Sequence, residues 1–124
     1  MADDIDYKQM AERLLPAAER GNPKAQYNLG VLYHSGKGVA KDFQQAFKWY
    51  RKAAEQGHMK AQYYCALLLH KGRGTAKNDE EAVMWLHKSA EQGNEDAKKA
   101  LDKLLSVPDI SIDELISGAR KVSR

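Results

Sequence analysis

The 124 residues carry 20 lysines and arginines against 17 aspartates and glutamates, a formal net charge of +3, and 43% of them are hydrophobic. That size and apolar content suit one domain, residues 1–124, whereas so mixed a charge disfavours nucleic acid as a partner, because sequence-independent binding needs a dense positive field. A single cysteine forms no intrachain disulfide, and without a basic leader or a run of about 18 apolar residues we expect a cytoplasmic protein with no membrane partner, unless a signal peptide has been removed.

The predicted elements begin with half a repeat, residues 5–24, in which Asp6 stands where Asp42 and Asn78 stand in later units. Two full repeats follow, residues 25–60 and 61–96, and they align without gaps at a period of 36 residues. The chain is therefore predicted to be one repeat array. The identities in register are Gln26 and Gln62, Tyr27 and Tyr63, Leu32 and Leu68, His34 and His70, Gly36 and Gly72, Gly38 and Gly74, Ala46 and Ala82, and Trp49 and Trp85.

Each full repeat predicts two antiparallel helices, which we call helix A and helix B. Apolar residues recur at helical spacing in both, so that Leu29 and Tyr33 belong to the buried face of helix A, and Trp49 and Tyr50 to that of helix B. Small residues occupy further columns of the repeat, among them Gly30, and we expect them to let neighbouring helices approach closely.

The loop between the two helices carries a glycine pair, Gly36 and Gly38, which recurs in the second repeat. We expect these glycines to end helix A with positive φ angles, and Asp42 or Asn78 to cap helix B. His58 lies in the next turn. The equivalent position in the other units is asparagine, so His58 is interpreted as a polar turn residue.

A third, decayed repeat starts at residues 97–106, and residues 107–124 then predict a C-terminal helix. The chain breaks at Pro108 and restarts at Ser111, with Glu114 three residues later, which is the spacing of a capping box. We favour a helix that caps the exposed core of the last repeat, with docking onto a second molecule as the alternative. The total is about seven helices.

The first repeat, AQYNLGVLYHSGKGVAKDFQQAFKWYRKAAEQGH, resembles a Sel1-like repeat, a relative of the tetratricopeptide repeat. The resemblance rests on the A-x-x-x-L-G helix, the G-x-G-V loop, the W-Y pair and the A-A-E-Q-G ending, and it covers most of the chain. It implies an all-α fold, a right-handed α-solenoid of antiparallel helix pairs. It also implies an adaptor that binds other proteins and is not an enzyme.

A partner would be expected on the concave wall of such a stack, which the A helices line. Residues offset from the buried face of helix A form a second stripe that is aromatic and basic, and such a stripe suits an acidic protein or peptide segment. In the alternative, Tyr27 and Tyr63 are half-buried packing residues of the repeat. The predicted partner-binding residues are Lys24, Tyr27, Val31, His34, Lys60, Tyr63, Leu67, His70, Lys99 and Lys103.

No constellation of residues predicts catalysis, a metal site or a cofactor. The four histidines lack H-x-x-x-H spacing, and Cys65, which replaces Leu29 on the apolar face of helix A, is expected to be a small buried hydrophobe. The acidic run from Asp79 to Glu81 lies in the first turn of a helix B, where it complements the positive helix end. The G-x-G loops lack the ending of a phosphate-binding loop.

The leading hypothesis is a bacterial-type adaptor that binds a protein or peptide. The alternative is a structural or assembly subunit that associates with itself through its ends or its concave face, so that a weak homodimer is kept open. A hydrolase is the least favoured class, because paired catalytic groups are not found.

Overall fold

The computed structural model describes residues 5–106, which form six α-helices and no strand. The helices are α1 (Tyr7–Glu19), α2 (Pro23–Ser35), α3 (Phe43–Glu55), α4 (Met59–Lys71), α5 (Asp79–Glu91) and α6 (Glu95–Leu105). Helices α2, α4 and α6 are the predicted A helices, and α1, α3 and α5 are B helices. The expected seventh helix falls in residues 107–124, outside the described residues.

Each helix packs mainly against its neighbours in the sequence, so that the helix pairs stack one after another. Asp6, Asp42 and Asn78 cap the three B helices as predicted, each by accepting a hydrogen bond from a backbone N–H of the first turn. None of the six helices between residues 5 and 106 has the length and apolar character needed to cross a membrane. The predicted all-α fold is confirmed.

The second glycine of each G-x-G loop fixes how the loop packs. All four loop glycines have positive φ angles, between 65° and 74°. At Gly38, a Cβ atom would collide with the backbone at Tyr7, and at Gly74 it would collide with the backbone at Phe43. The loop therefore lies directly on the start of the preceding B helix, and only glycine fits there.

Trp49 and Tyr50, adjacent on α3, face two different clusters of the core. Trp49 packs with Leu29 and Leu32 of α2 and with alanines of α1 and α2, whereas Tyr50 belongs to the larger cluster shared with α4 and α5. Both side chains are buried, as predicted. Helix α3 thus packs with α1 and α2 through Trp49 and with α4 and α5 through Tyr50. Neither repeat therefore buries its apolar surface alone.

Buried glutamines join successive repeats by hydrogen bonds. The Gln62 side chain donates to the carbonyl of Ala54 at 3.2 Å and accepts from Gln92 at 2.9 Å. Gln26 makes the same pair of bonds one repeat earlier, with Ala18 and Gln56. Because each buried amide is satisfied, its recurrence is explained by packing between repeats.

Helices α2 and α3 approach closely at Gly30, which faces the buried ring of Tyr50. A Cβ atom on Gly30 would lie 2.7 Å from Cδ1 and 2.8 Å from Cε1 of that ring. In the second repeat the same two positions hold Ala66 and Leu86, a larger residue facing a smaller one. The two positions therefore vary together to conserve volume.

The substitution Gly30→Ala tests this coupling. Overpacking costs about 1–3 kcal/mol and helix propensity returns about 1 kcal/mol, so we expect a net loss of about 1 kcal/mol in the free energy of unfolding, measured in urea. In a Tyr50→Leu background the same substitution should be neutral or stabilising. Equal losses in both backgrounds would show that the ring does not limit the approach of the helices.

Candidate functional site

A groove with a volume of about 620 Å³ lies between α4 and α6, on the side formed by the A helices. Of the ten predicted partner-binding residues, five line it: Tyr63, Leu67, His70, Lys99 and Lys103. The remaining lining residues are Ala66, Lys71, Leu86, Asp96, Ala100 and Leu104.

The groove combines an apolar wall with a basic edge. Leu86 is buried and Leu104 is half-buried, whereas Lys71, Lys99 and Lys103 are exposed. Lys99 and Lys103 are one turn apart on α6, and between residues 5 and 106 no carboxylate lies within ion-pair distance of either. Such a surface suits an apolar anchor accompanied by negative charge.

The other five predicted residues, Lys24, Tyr27, Val31, His34 and Lys60, do not line this groove. Lys24 and Lys60 are exposed, whereas Tyr27, Val31 and His34 are half-buried between α2 and α4. Tyr27 stacks on His58 with ring centroids 4.5 Å apart. In the first repeat the predicted stripe is therefore largely a packed interface between helices.

The equivalent histidines His34 and His70 have different partners. His34 Nδ1 lies 3.1 Å from the Tyr50 hydroxyl, and burial, followed by the positive charge of Lys41, lowers the pKa of His34. His70 Nδ1 lies 2.7 Å from Oδ1 of Asp79, and this hydrogen bond lowers the pKa of that carboxyl. Both imidazoles are thus held by the helix pair to which they belong.

Six residues that line the groove are absent from the predicted set, among them Lys71, Leu86 and Ala100. Leu86 and Ala100 occupy the register positions of Tyr50 and Tyr64, and both changes are visible in the sequence. The repeat register makes both substitutions visible. Leucine and alanine by themselves indicate packing residues, however, and only the structure shows that the space beside them is open.

His58 does more than occupy a turn. Its Nδ1 accepts a hydrogen bond from the backbone N–H of Ala61 at 3.2 Å and so caps α4. Asn22 and Asn94 cap the other two A helices with side-chain oxygens. Burial, followed by the charge of Lys60, lowers the pKa of His58. The neutral ring, which this shift favours, is the form that can accept the hydrogen bond.

A stack of antiparallel helix pairs joined by G-x-G loops defines an α-solenoid repeat protein. The Sel1 repeat model matches residues 23–58 and 60–94, so the chain belongs to the Sel1 repeat family. Proteins built from this repeat generally mediate protein–protein interactions.

Solved structures share the fold. A Sel1 repeat protein from Oxalobacter formigenes has a TM-score of 0.71 and 45% identity over 73% of this chain and 37% of its own. A protective antigen of uropathogenic Escherichia coli with an SLR fold, c5321, has a TM-score of 0.78 and 39% identity over 80% of this chain and 21% of its own. Helicobacter pylori cysteine rich protein B has a TM-score of 0.72 and 29% identity, covering 78% of this chain and 73% of its own.

The chitin synthase regulator SKT5 of Saccharomyces cerevisiae is 41% identical over 51 residues. These residues are 41% of this chain and 7% of the regulator, so the chain spans a small part of that protein. The shared part is thus much shorter than the whole regulator.

The substitution His58→Asn tests the cap. The folded pKa of His58 is below its unfolded value of 6.5, so its contribution to stability is complete above that pH and is lost as the pH falls through the folded pKa. We expect His58→Asn, which keeps a cap but loses the stacking on Tyr27, to cost less than about 1 kcal/mol at neutral pH.

The loss of unfolding free energy on acidification should be smaller in this variant than in the native protein, with the part due to His34 remaining. Urea unfolding from pH 7.5 to pH 5 measures it. An unchanged pH dependence would contradict the assignment of His58 as a titrating cap.

Cys65 is fully buried on α4, as predicted, and burial raises the pKa of its thiol to about 12. Because the thiolate is the reactive form, we expect no labelling by Ellman's reagent in the folded protein and complete labelling in concentrated guanidinium chloride. Rapid labelling of the folded protein would contradict the packing of α4.

Proposed function

We propose that this chain is a protein-interaction module that binds an acidic segment of a partner protein on the face formed by its A helices. The observation that carries the proposal is the groove between α4 and α6, in which Tyr63, Leu67, Lys99 and Lys103 meet. The volume of about 620 Å³ lies within the range of about 300–1,000 Å³ that is common for binding sites.

The titratable groups support binding over catalysis. His34 and His70 face Tyr50 and Asp79 within the same repeat, and Cys65 is buried. The similarity to a chitin synthase regulator is consistent with a role exerted through another protein. The single cysteine agrees with the cytoplasmic location that we also propose.

A charge reversal tests the groove. We expect Lys99→Glu/Lys103→Glu to weaken partner binding by at least about tenfold, because the two lysines would attract carboxylates and their replacements would repel them. The matched control is Arg13→Glu/Arg20→Glu, on α1 and at its C-cap, which changes the net charge equally at exposed positions outside the groove.

The measurement is quantitative mass spectrometry of proteins captured from a lysate of the source organism by the native protein and by both variants. Partners captured by the native protein and the control, but lost with the groove variant, would support the proposal. Equal capture by the groove variant would remove the groove from consideration.

A further inference from the structure

The groove between α4 and α6 is the counterpart, one repeat later, of a space that aromatic rings fill. Between α2 and α4, the Tyr64 ring stacks on Tyr50 with centroids 5.5 Å apart. The same ring lies 6.2 Å from Tyr27 and 6.1 Å from His34. Tyr64 of α4 is thus received by a site built from α2 and α3.

The next repeat keeps two of the three rings of that receiving site, but not the tyrosine that the site receives. Tyr63 and His70 stand at the positions of Tyr27 and His34, and both line the groove. At the position of Tyr64, α6 carries Ala100. Among residues 5–106 no aromatic side chain enters the space that Tyr64 fills one repeat earlier, and this difference creates the groove.

The wall facing Ala100 has also lost an aromatic ring. Leu86 replaces Tyr50 there, and it is buried at the base of the groove. His70 points its Nδ1 to Asp79, which occupies the register position of Phe43. The groove therefore has an aliphatic residue at the place of the ring on which Tyr64 stacks one repeat earlier.

The edge of the groove indicates the charge of what it receives. Three lysines, Lys71, Lys99 and Lys103, line the groove against one aspartate, Asp96. The lysines are exposed and therefore free to meet carboxylates at modest cost in desolvation. Negative charge beside the ring is the complementary arrangement.

This chain does not offer such a ring itself. Its two tryptophans, six tyrosines and two phenylalanines all lie between Tyr7 and Trp85, and each is buried or half-buried. Residues 107–124 contain no aromatic residue. Neither the C-terminal residues nor a second copy of the folded chain therefore supplies an exposed aromatic side chain.

Building on the function proposed above, we infer that the groove between α4 and α6 is a socket for an aromatic side chain that a partner protein presents within an acidic segment. The partner's ring takes the place that Tyr64 takes in the preceding repeat. Rigid aromatic side chains are effective anchors because they bury a large area at little cost in conformational entropy.

Three blocked pentapeptides serve as probes in the full chain: EEYEE, its alanine counterpart EEAEE and its basic counterpart KKYKK. Binding is followed by NMR titration of the backbone amides of Leu67, Ala100 and Leu104. We expect saturable shifts with EEYEE, and affinities at least about tenfold lower for each of the other two peptides.

The variant Ala100→Tyr restores the residue of the preceding repeat and should fill the socket, lowering the affinity for EEYEE by at least about tenfold. Ala100→Leu is a smaller filler in case the tyrosine disturbs the fold, and it should weaken binding in the same direction. Ala76→Tyr, at an exposed loop position outside the groove, is the matched control and should bind as the native protein does. Circular dichroism checks the fold of each variant.

Several results would overturn the socket. The first is that EEAEE or KKYKK binds as tightly as EEYEE. The second is that folded Ala100→Tyr and Ala100→Leu variants bind EEYEE with native affinity. The third is that the native protein shows no saturable shift, as expected if residues 107–124 occupy the groove. Shifts of the groove amides with protein concentration alone would assign the groove to a second copy of the chain. If a captured partner depends on Lys99 and Lys103 but not on Ala100, the interaction function stands and the aromatic socket fails.

Discussion

The contact between the Tyr50 ring and Gly30 is the constraint on which the first full repeat depends. The ring is 1% exposed and rests against α2 where a Cβ atom would be too close. From that position it donates to or accepts from His34 and stacks on Tyr64 of the next helix. One side chain thereby fixes the distance within a helix pair and the way the following pair is received.

The second repeat retains the helices but relaxes that constraint. Ala66 and Leu86 conserve the volume at the contact between α4 and α5, so the pair still packs. Ala100, at the register position of Tyr64, is too small to fill the space that a stacked ring fills one repeat earlier. The unfilled volume is the groove between α4 and α6. A repeat array can therefore open a groove between two A helices where one position carries a small residue in place of an aromatic one, because its backbone is held by other contacts.

The contacts that hold those backbones are largely independent of the groove. They include the buried glutamines, the glycine loops seated on the preceding helix and the caps at each helix start, and none of these groups lines the groove between α4 and α6. The surface residues of α6 are thus free to change specificity without loss of the fold. This separation is what suits a repeat protein to binding diverse partners.

The sequence by itself determined the all-α fold, the 36-residue period, the caps at Asp42 and Asn78 and the burial of Cys65, because these follow from local conformational preference and from periodicity. It also predicted a basic and aromatic stripe on the A helices. Only the tertiary structure decided that Tyr27 is packed between helices while its counterpart Tyr63 lines a groove. The physical reason is that both tyrosines are half-buried, and the volume of the residue on the next helix, Tyr64 in one case and Ala100 in the other, decides whether the space beside them is filled or open.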